Sequence, residues 1–191
     1  PVAWVEGCGN TGDISLGVVN QYALGDEDSW QDVFCLESVN SFDPNDKNGF
    51  PRGVSEQRFI GQGEPLEYLI RFQNIGTAEA LVVEVRDTLP EEVNPYTLRP
   101  GAASHPYTWD IAGNGVIIFR FENINLPSEE SDPEGSKGFV QFKVEQDRVL
   151  PIGTQINNTA AIYFDQNDPI ITNQTLHTIG SDDLLTSTSA A

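Results

Sequence analysis

LEYLIRFQNIGTAEALVVEV, residues 66–85, decides the fold class. Leu66, Tyr68, Ile70 and Phe72 fall on one side of a period-two pattern, with Glu67, Arg71 and Gln73 on the other. Asn74-Ile75-Gly76-Thr77 supplies turn chemistry, and Leu81, Val83 and Val85 line one face of a returning strand. Asp87-Thr88-Leu89-Pro90 ends that strand, because proline cannot donate to a ladder.

The same alternation continues toward the C-terminus. Residues 91–106 carry three prolines and read as a loop. Residues 107–111 and 116–122 follow as a hairpin joined by Ala112-Gly113-Asn114-Gly115, with Ile117, Phe119 and Phe121 as its core face. An acidic loop over 128–137 precedes a strand over 139–146, in which Val140, Phe142 and Val144 align. Residues 154–165 and 170–179 are the last strands, separated by Asp165-Gln166-Asn167-Asp168-Pro169. No stretch has convincing helical periodicity. Short strands with Gly and Pro at the turns predict an all-β fold, an antiparallel immunoglobulin-like β-sandwich.

Toward the N-terminus, SFDPNDKNG at 41–49 reads as an ordered junction, since Pro44 stiffens a turn and Gly49 permits a positive φ. Before it, residues 2–5, 14–22 and 32–39 are three short strand candidates. The expected organisation is a β extension or the end of a preceding domain over 1–40, the sandwich over 41–179, and a linker over 180–191. With no methionine and an opening Pro1, the chain reads as an excised part of a longer protein.

Twenty-nine acidic against ten basic residues give a formal charge of −19. Such a field repels phosphate backbones and anionic lipid, so nucleic acid is not an expected partner. Membrane insertion is not expected either, because no apolar run approaches the roughly 20 residues a spanning helix needs. Cys8 and Cys35 suggest one disulfide, worth about 3–4 kcal/mol in the chain-entropy model; two buried free thiols are the alternative. Their spacing, with only His105 and His177 elsewhere, excludes a conventional zinc site.

Catalysis is not expected, because two isolated histidines beside ordinary serines form no nucleophilic triad. His105 in Ser104-His105-Pro106-Tyr107 reads as a loop hydrogen-bonding group. Calcium is a candidate cofactor, with Asp43, Asn45 and Asp46 in one oxygen-rich loop and Asp165, Asn167 and Asp168 in another. The first is not an EF-hand, and Asx-turns that bond their own backbone are the alternative. Strand parity singles out two further polar residues: Asn158 shares a face with Ile156, Ala160 and Ile162, and Asp87 shares one with Val83 and Val85.

SFDPNDK, LEYLIRFQNIGTAEA, VRDTLP, SHPYTW, GFVQF and NTAAIYFDQNDPIITN occur in one order over about 41–179. In this the chain resembles the immunoglobulin-like "conserved repeat" domains of unknown function near the C-terminus of large secreted proteins of Bacteroidota. The resemblance implies an exported or cell-surface module of a long chain, commonly followed by a type IX secretion sorting domain. It does not imply an enzyme. Related surface sandwiches cross-link a lysine near the first strand to an asparagine on the last with help from a carboxyl group. Lys47, Asn158 and Asp87 fit those places as a candidate isopeptide set, the alternative being a hydrogen-bonded Asn158 and a turn-capping Asp87.

The functional expectation is a non-catalytic structural or spacer module of a secreted or cell-surface adhesive protein, with calcium as a candidate stabiliser and neighbouring domains of the same chain as partners. The rival is a module binding a surface glycan or protein. Exposed Trp4, Trp30 or Trp109 would be its sign.

Overall fold

The computed structural model describes residues 44–113, 115–147 and 150–181. The strand candidates before residue 41, Cys8, Cys35, Asp43, Trp4, Trp30 and the tail from 182 lie outside the described residues. Among the described residues twelve strands run in chain order: β1 Asp46–Phe50, β2 Phe59–Ile60, β3 Leu66–Gln73, β4 Ala80–Thr88, β5 Val93–Ala103 and β6 Thr108–Ala112. They continue as β7 Val116–Leu126, β8 Lys137–Gln146, β9 Gln155–Asn158, β10 Ala160–Phe164, β11 Ile170–Ile171 and β12 Thr175–Ile179. No helix occurs among the described residues.

A four-stranded sheet in the order β1-β3-β8-β5 faces a five-stranded sheet in the order β11-β10-β4-β7-β6. A small third sheet, β2-β12-β9, holds the one parallel strand pair among the described residues, β2 with β12. The fold is an antiparallel immunoglobulin-like β-sandwich. Alternation builds it: Leu66, Tyr68, Ile70 and Phe72 of β3 are all buried, as are Val140, Phe142 and Val144 of β8. Opposite them stand Val83 and Val85 of β4 and Ile117, Phe119 and Phe121 of β7. Rings meet across the two layers, with centroids 5.3 Å apart for Phe72 and Phe121 and 5.5 Å for Phe119 and Phe142.

Four local expectations are corrected. The strands on either side of Asn74 do not pair, since β3 is laddered to β1 and β8 and β4 to β7 and β10. The turn instead carries the chain from one sheet to the other, so that the two apolar faces meet across the core. Leu81 is exposed, because the ladder between β4 and β7 shifts register between Ala80 and Val82 and breaks the parity. Residues expected to be a loop form β5; its prolines are tolerated because β5 is an edge strand whose pairing with β8 is interrupted twice. The segments 154–165 and 170–179 each divide in two, into β9 and β10 and into β11 and β12.

The division at Thr159 positions the site. β9 belongs to the small sheet and β10 to the large one, yet Ile156, Asn158, Ala160 and Ile162 are all buried, so the inward parity survives the change of sheet.

Candidate functional site

Lys47 lies opposite Ile70 in the pairing of β1 with β3, and its side chain is completely buried. Its Nζ donates to Oδ2 of Asp87, an equally buried carboxylate on β4, which joins the two faces of the sandwich. The same Nζ stands 4.3 Å from the centroid of the Tyr68 ring and 5.9 Å from that of Phe142. Burial pushes the Lys47 ammonium pKa below its ordinary value, and the attraction and hydrogen bond of Asp87 oppose that shift only in part.

Asn158 closes the cluster. Asp87 is the register partner of Ala160, so Asn158 is two residues from that partner and on the same buried face. Its main-chain oxygen accepts from Thr175 Oγ1 at 3.2 Å. Its side-chain Oδ1 and Nδ2 make no hydrogen bond, and neither does Oδ1 of Asp87 or the hydroxyl of Tyr68. Leaving a buried polar group unpaired costs about 1–3 kcal/mol. The Tyr68 phenol is pushed up by burial first and by the charge of Asp87 second. Asn158 and Thr175 act on it in the opposite direction, which places the amide beside the phenol although no bond of ordinary geometry forms between them.

Residues that sequence reasoning missed frame this cluster. Asn173, between β11 and β12, accepts from the Lys47 main-chain N–H and donates to the Lys47 carbonyl, both at 2.9 Å. His177 is buried at the edge of the Tyr68 ring, and its Nε2 lies 3.0 Å from the Pro51 carbonyl oxygen. Gly49 does not take the positive φ expected of a turn but lies within β1, and it is required for space, because a Cβ would come within 2.5 Å of the His177 ring. The signal for Asn173 and His177 was weak, since an asparagine in a connecting loop and a histidine in a five-residue strand carry no pattern of their own.

The oxygen-rich loops are engaged internally. Asn45 accepts from the Gln73 main-chain N–H at 3.2 Å, and Asp46 holds Arg71 through two hydrogen bonds of 2.7 and 2.6 Å. Oδ1 of Asp165 accepts from the main-chain N–H groups of Leu81 and Val82 at 2.9 and 2.8 Å, while Asp168 and Asn167 are exposed. Among the described residues no three His, Cys, Asp or Glu side chains converge on a metal-sized space. His105 meets the hydroxyl of its neighbour Ser104 at 2.8 Å.

Residues 43–178 match the family described as Domain of unknown function (DUF7619). The chain belongs to that family. Solved structures similar to this DUF7619 domain include the major pilin SpaA of Corynebacterium diphtheriae, whose structure is described as pointing to a modular pilus assembly with stabilizing isopeptide bonds. It is 11% identical at a TM-score of 0.48, covering 70% of this chain and 38% of the pilin. BcpA, the major pilin subunit of Bacillus cereus, is 19% identical at a TM-score of 0.47, with 70% and 39% covered. The collagen-binding domain of a Staphylococcus aureus adhesin is 9% identical at a TM-score of 0.42, with 74% and 99% covered. The match thus spans well under half of either pilin. No curated protein matches the chain.

Proposed function

We propose that this domain is a non-catalytic structural module, a spacer within a longer secreted or cell-surface adhesive protein. One observation carries the reading: among the described residues, the reactive side chains of Lys47, Asp87 and Asn158 are sealed together inside the sandwich, each no more than 2% exposed. An outside substrate has no route to them. What they can act on is the domain itself, tying β1 to the opposite sheet. The −19 charge suits an exposed module that must stay soluble and apart from its neighbours. The parent chain is of the exported, type IX-sorted kind found in Bacteroidota, as the sequence resemblance implies, and flanking domains of that chain are the first partners. Exchanging residues 44–181 in the parent protein for an unrelated sandwich of similar span tests this. Export and adhesion should survive the exchange; their loss would mean that the module recognises something itself.

A glycan- or protein-binding role is the second reading, favoured by Trp109. It is 47% exposed on the edge strand β6, beside a shallow groove of about 250 Å³ that Arg120 and Glu122 also line. Trp109→Ala should leave adhesion unchanged if the domain is only a spacer, and should weaken it if the groove is occupied.

A further inference from the structure

We propose that Lys47 and Asn158 are joined by an isopeptide bond that the folded chain makes on itself, with Asp87 as the proton carrier. This goes beyond the spacer role and does not depend on it. Three features of the cluster point the same way. The amine is held on the carboxylate with both side chains completely buried. The amide beside them has both side-chain polar atoms without a hydrogen bond of ordinary geometry. The free Oδ1 of Asp87 is likewise unpaired and is left over to serve a second group.

The aromatic ring under Nζ ties these parts together. Tyr68 lies 4.3 Å from the amine at its face, and Asn158 acts on its hydroxyl end, so amine, amide and carboxylate surround one side chain. Phe142 and the apolar neighbours Ile156, Ala160 and Ile162 exclude water that would otherwise hold the amine as a solvated ammonium.

The chemistry balances without any co-reactant. Lys47 passes one proton to Asp87 across their hydrogen bond and becomes a neutral amine, the form that can attack an amide carbon. Nζ bonds to Cγ of Asn158 while the protonated Asp87 donates to the carbonyl oxygen, which spreads the charge of the tetrahedral intermediate. Asp87, now a carboxylate, takes a proton from Nζ and passes it to Nδ2; the Cγ–Nδ2 bond breaks, ammonia leaves, and the proton on the oxygen returns to Asp87 as the carbonyl re-forms. A primary amine and a primary amide become one secondary amide plus ammonia, and Asp87 ends as the acid it was when Nζ attacked.

Two measurements on the full chain test it. The intact mass should be one ammonia below the sequence value after any disulfide correction, and digestion should yield a branched peptide joining the Lys47 and Asn158 segments, with no cleavage after Lys47. Lys47→Arg, Asn158→Ala and Asp87→Asn should each restore the missing mass. Because such variants could fail to fold, the branched wild-type peptide is the deciding observation. A wild-type mass equal to the sequence value overturns the bond, and so does an ammonia loss that maps elsewhere in the chain. Formation of the bond in Asp87→Asn at the wild-type rate would remove Asp87 from the reaction. None of these results bears on whether the parent protein tolerates exchange of the domain.

Discussion

Asn74 and Asn158 are almost equally hidden, 5% and 2% exposed, yet they are used in opposite ways. Asn74 is fully employed. Its Nδ2 donates to the carbonyls of Ala78 and Leu126 at 2.8 and 2.9 Å, and its Oδ1 accepts from the Gly76 N–H at 3.0 Å. It fastens the turn that carries the chain between sheets. Neighbouring Gln73 reaches Ser136 at 2.9 Å, so this end of the sandwich is closed by ordinary hydrogen bonds. The Asn158 amide bonds to nothing, beside a buried ion pair whose carboxylate has one oxygen unpaired. An idle buried amide is hard to reconcile with stability alone, since an aliphatic side chain would fill the same volume without a desolvation cost.

The largest effect that separates the two regions is expected for Asp87→Ala. Removing one partner of a buried pair strands an ammonium and costs about 3–5 kcal/mol, and the covalent tie would be lost as well. Urea denaturation would register the change, and the double variant Lys47→Met with Asp87→Leu should recover the ion-pair share but not that of the tie. Full recovery would leave no role for a bond. Asn158→Leu comes next. It deletes no side-chain hydrogen bond, yet releasing a closed loop of about 110 residues should cost roughly 4–5 kcal/mol in the chain-entropy model. An unchanged unfolding midpoint would place Asn158 among idle amides.

Asn74→Ala is expected to cost less, about 2–3 kcal/mol, as three hydrogen bonds near 1 kcal/mol each are lost. Its mass should not differ from expectation, which makes it the control for the other site. The smallest effect is a pH dependence at His177. Burial holds its pKa below the ordinary imidazole value, with the Pro51 carbonyl pulling the other way. Below about pH 6.5 the unfolded chain therefore takes up a proton that the folded chain resists. Stability should be full above that pH and decline as pH falls toward the folded value, by at most about 1.4 kcal/mol per pH unit for one group. A flat profile from pH 7 to 5 would show that the imidazole is accessible.

The sandwich was legible wherever one side of a strand is apolar and the other polar. β3 and β8 follow their alternation, and so does β7 as far as Phe121, because each has one face on the core; beyond Glu122 a register shift against β4 breaks the parity of β7. β5 was hidden by Pro95 and Pro100, which an edge strand accommodates and a central strand would not. Leu81 was misplaced because a register shift is invisible to a period-two count. In the site, Asp87 and Asn158 announced themselves as polar residues at apolar parity positions. The burial of Lys47 could not be read from Asp43-Pro44-Asn45-Asp46-Lys47, a run with every mark of a solvated turn. Tyr68 looked like an ordinary core aromatic until the position of the Lys47 amine was known.

The pairing of Asn173 with the main chain of Lys47 has one more consequence. β1 is the outer strand of its sheet, and in an antiparallel ladder the N–H and C=O of one residue point the same way. Both of these groups on Lys47 are taken by Asn173, so the outward row of β1 is interrupted at its second residue by a side chain that imitates one residue of a neighbouring strand. A foreign strand cannot add along that row without displacing it. That single amide guards this edge of the sheet against strand addition by a second copy of the chain.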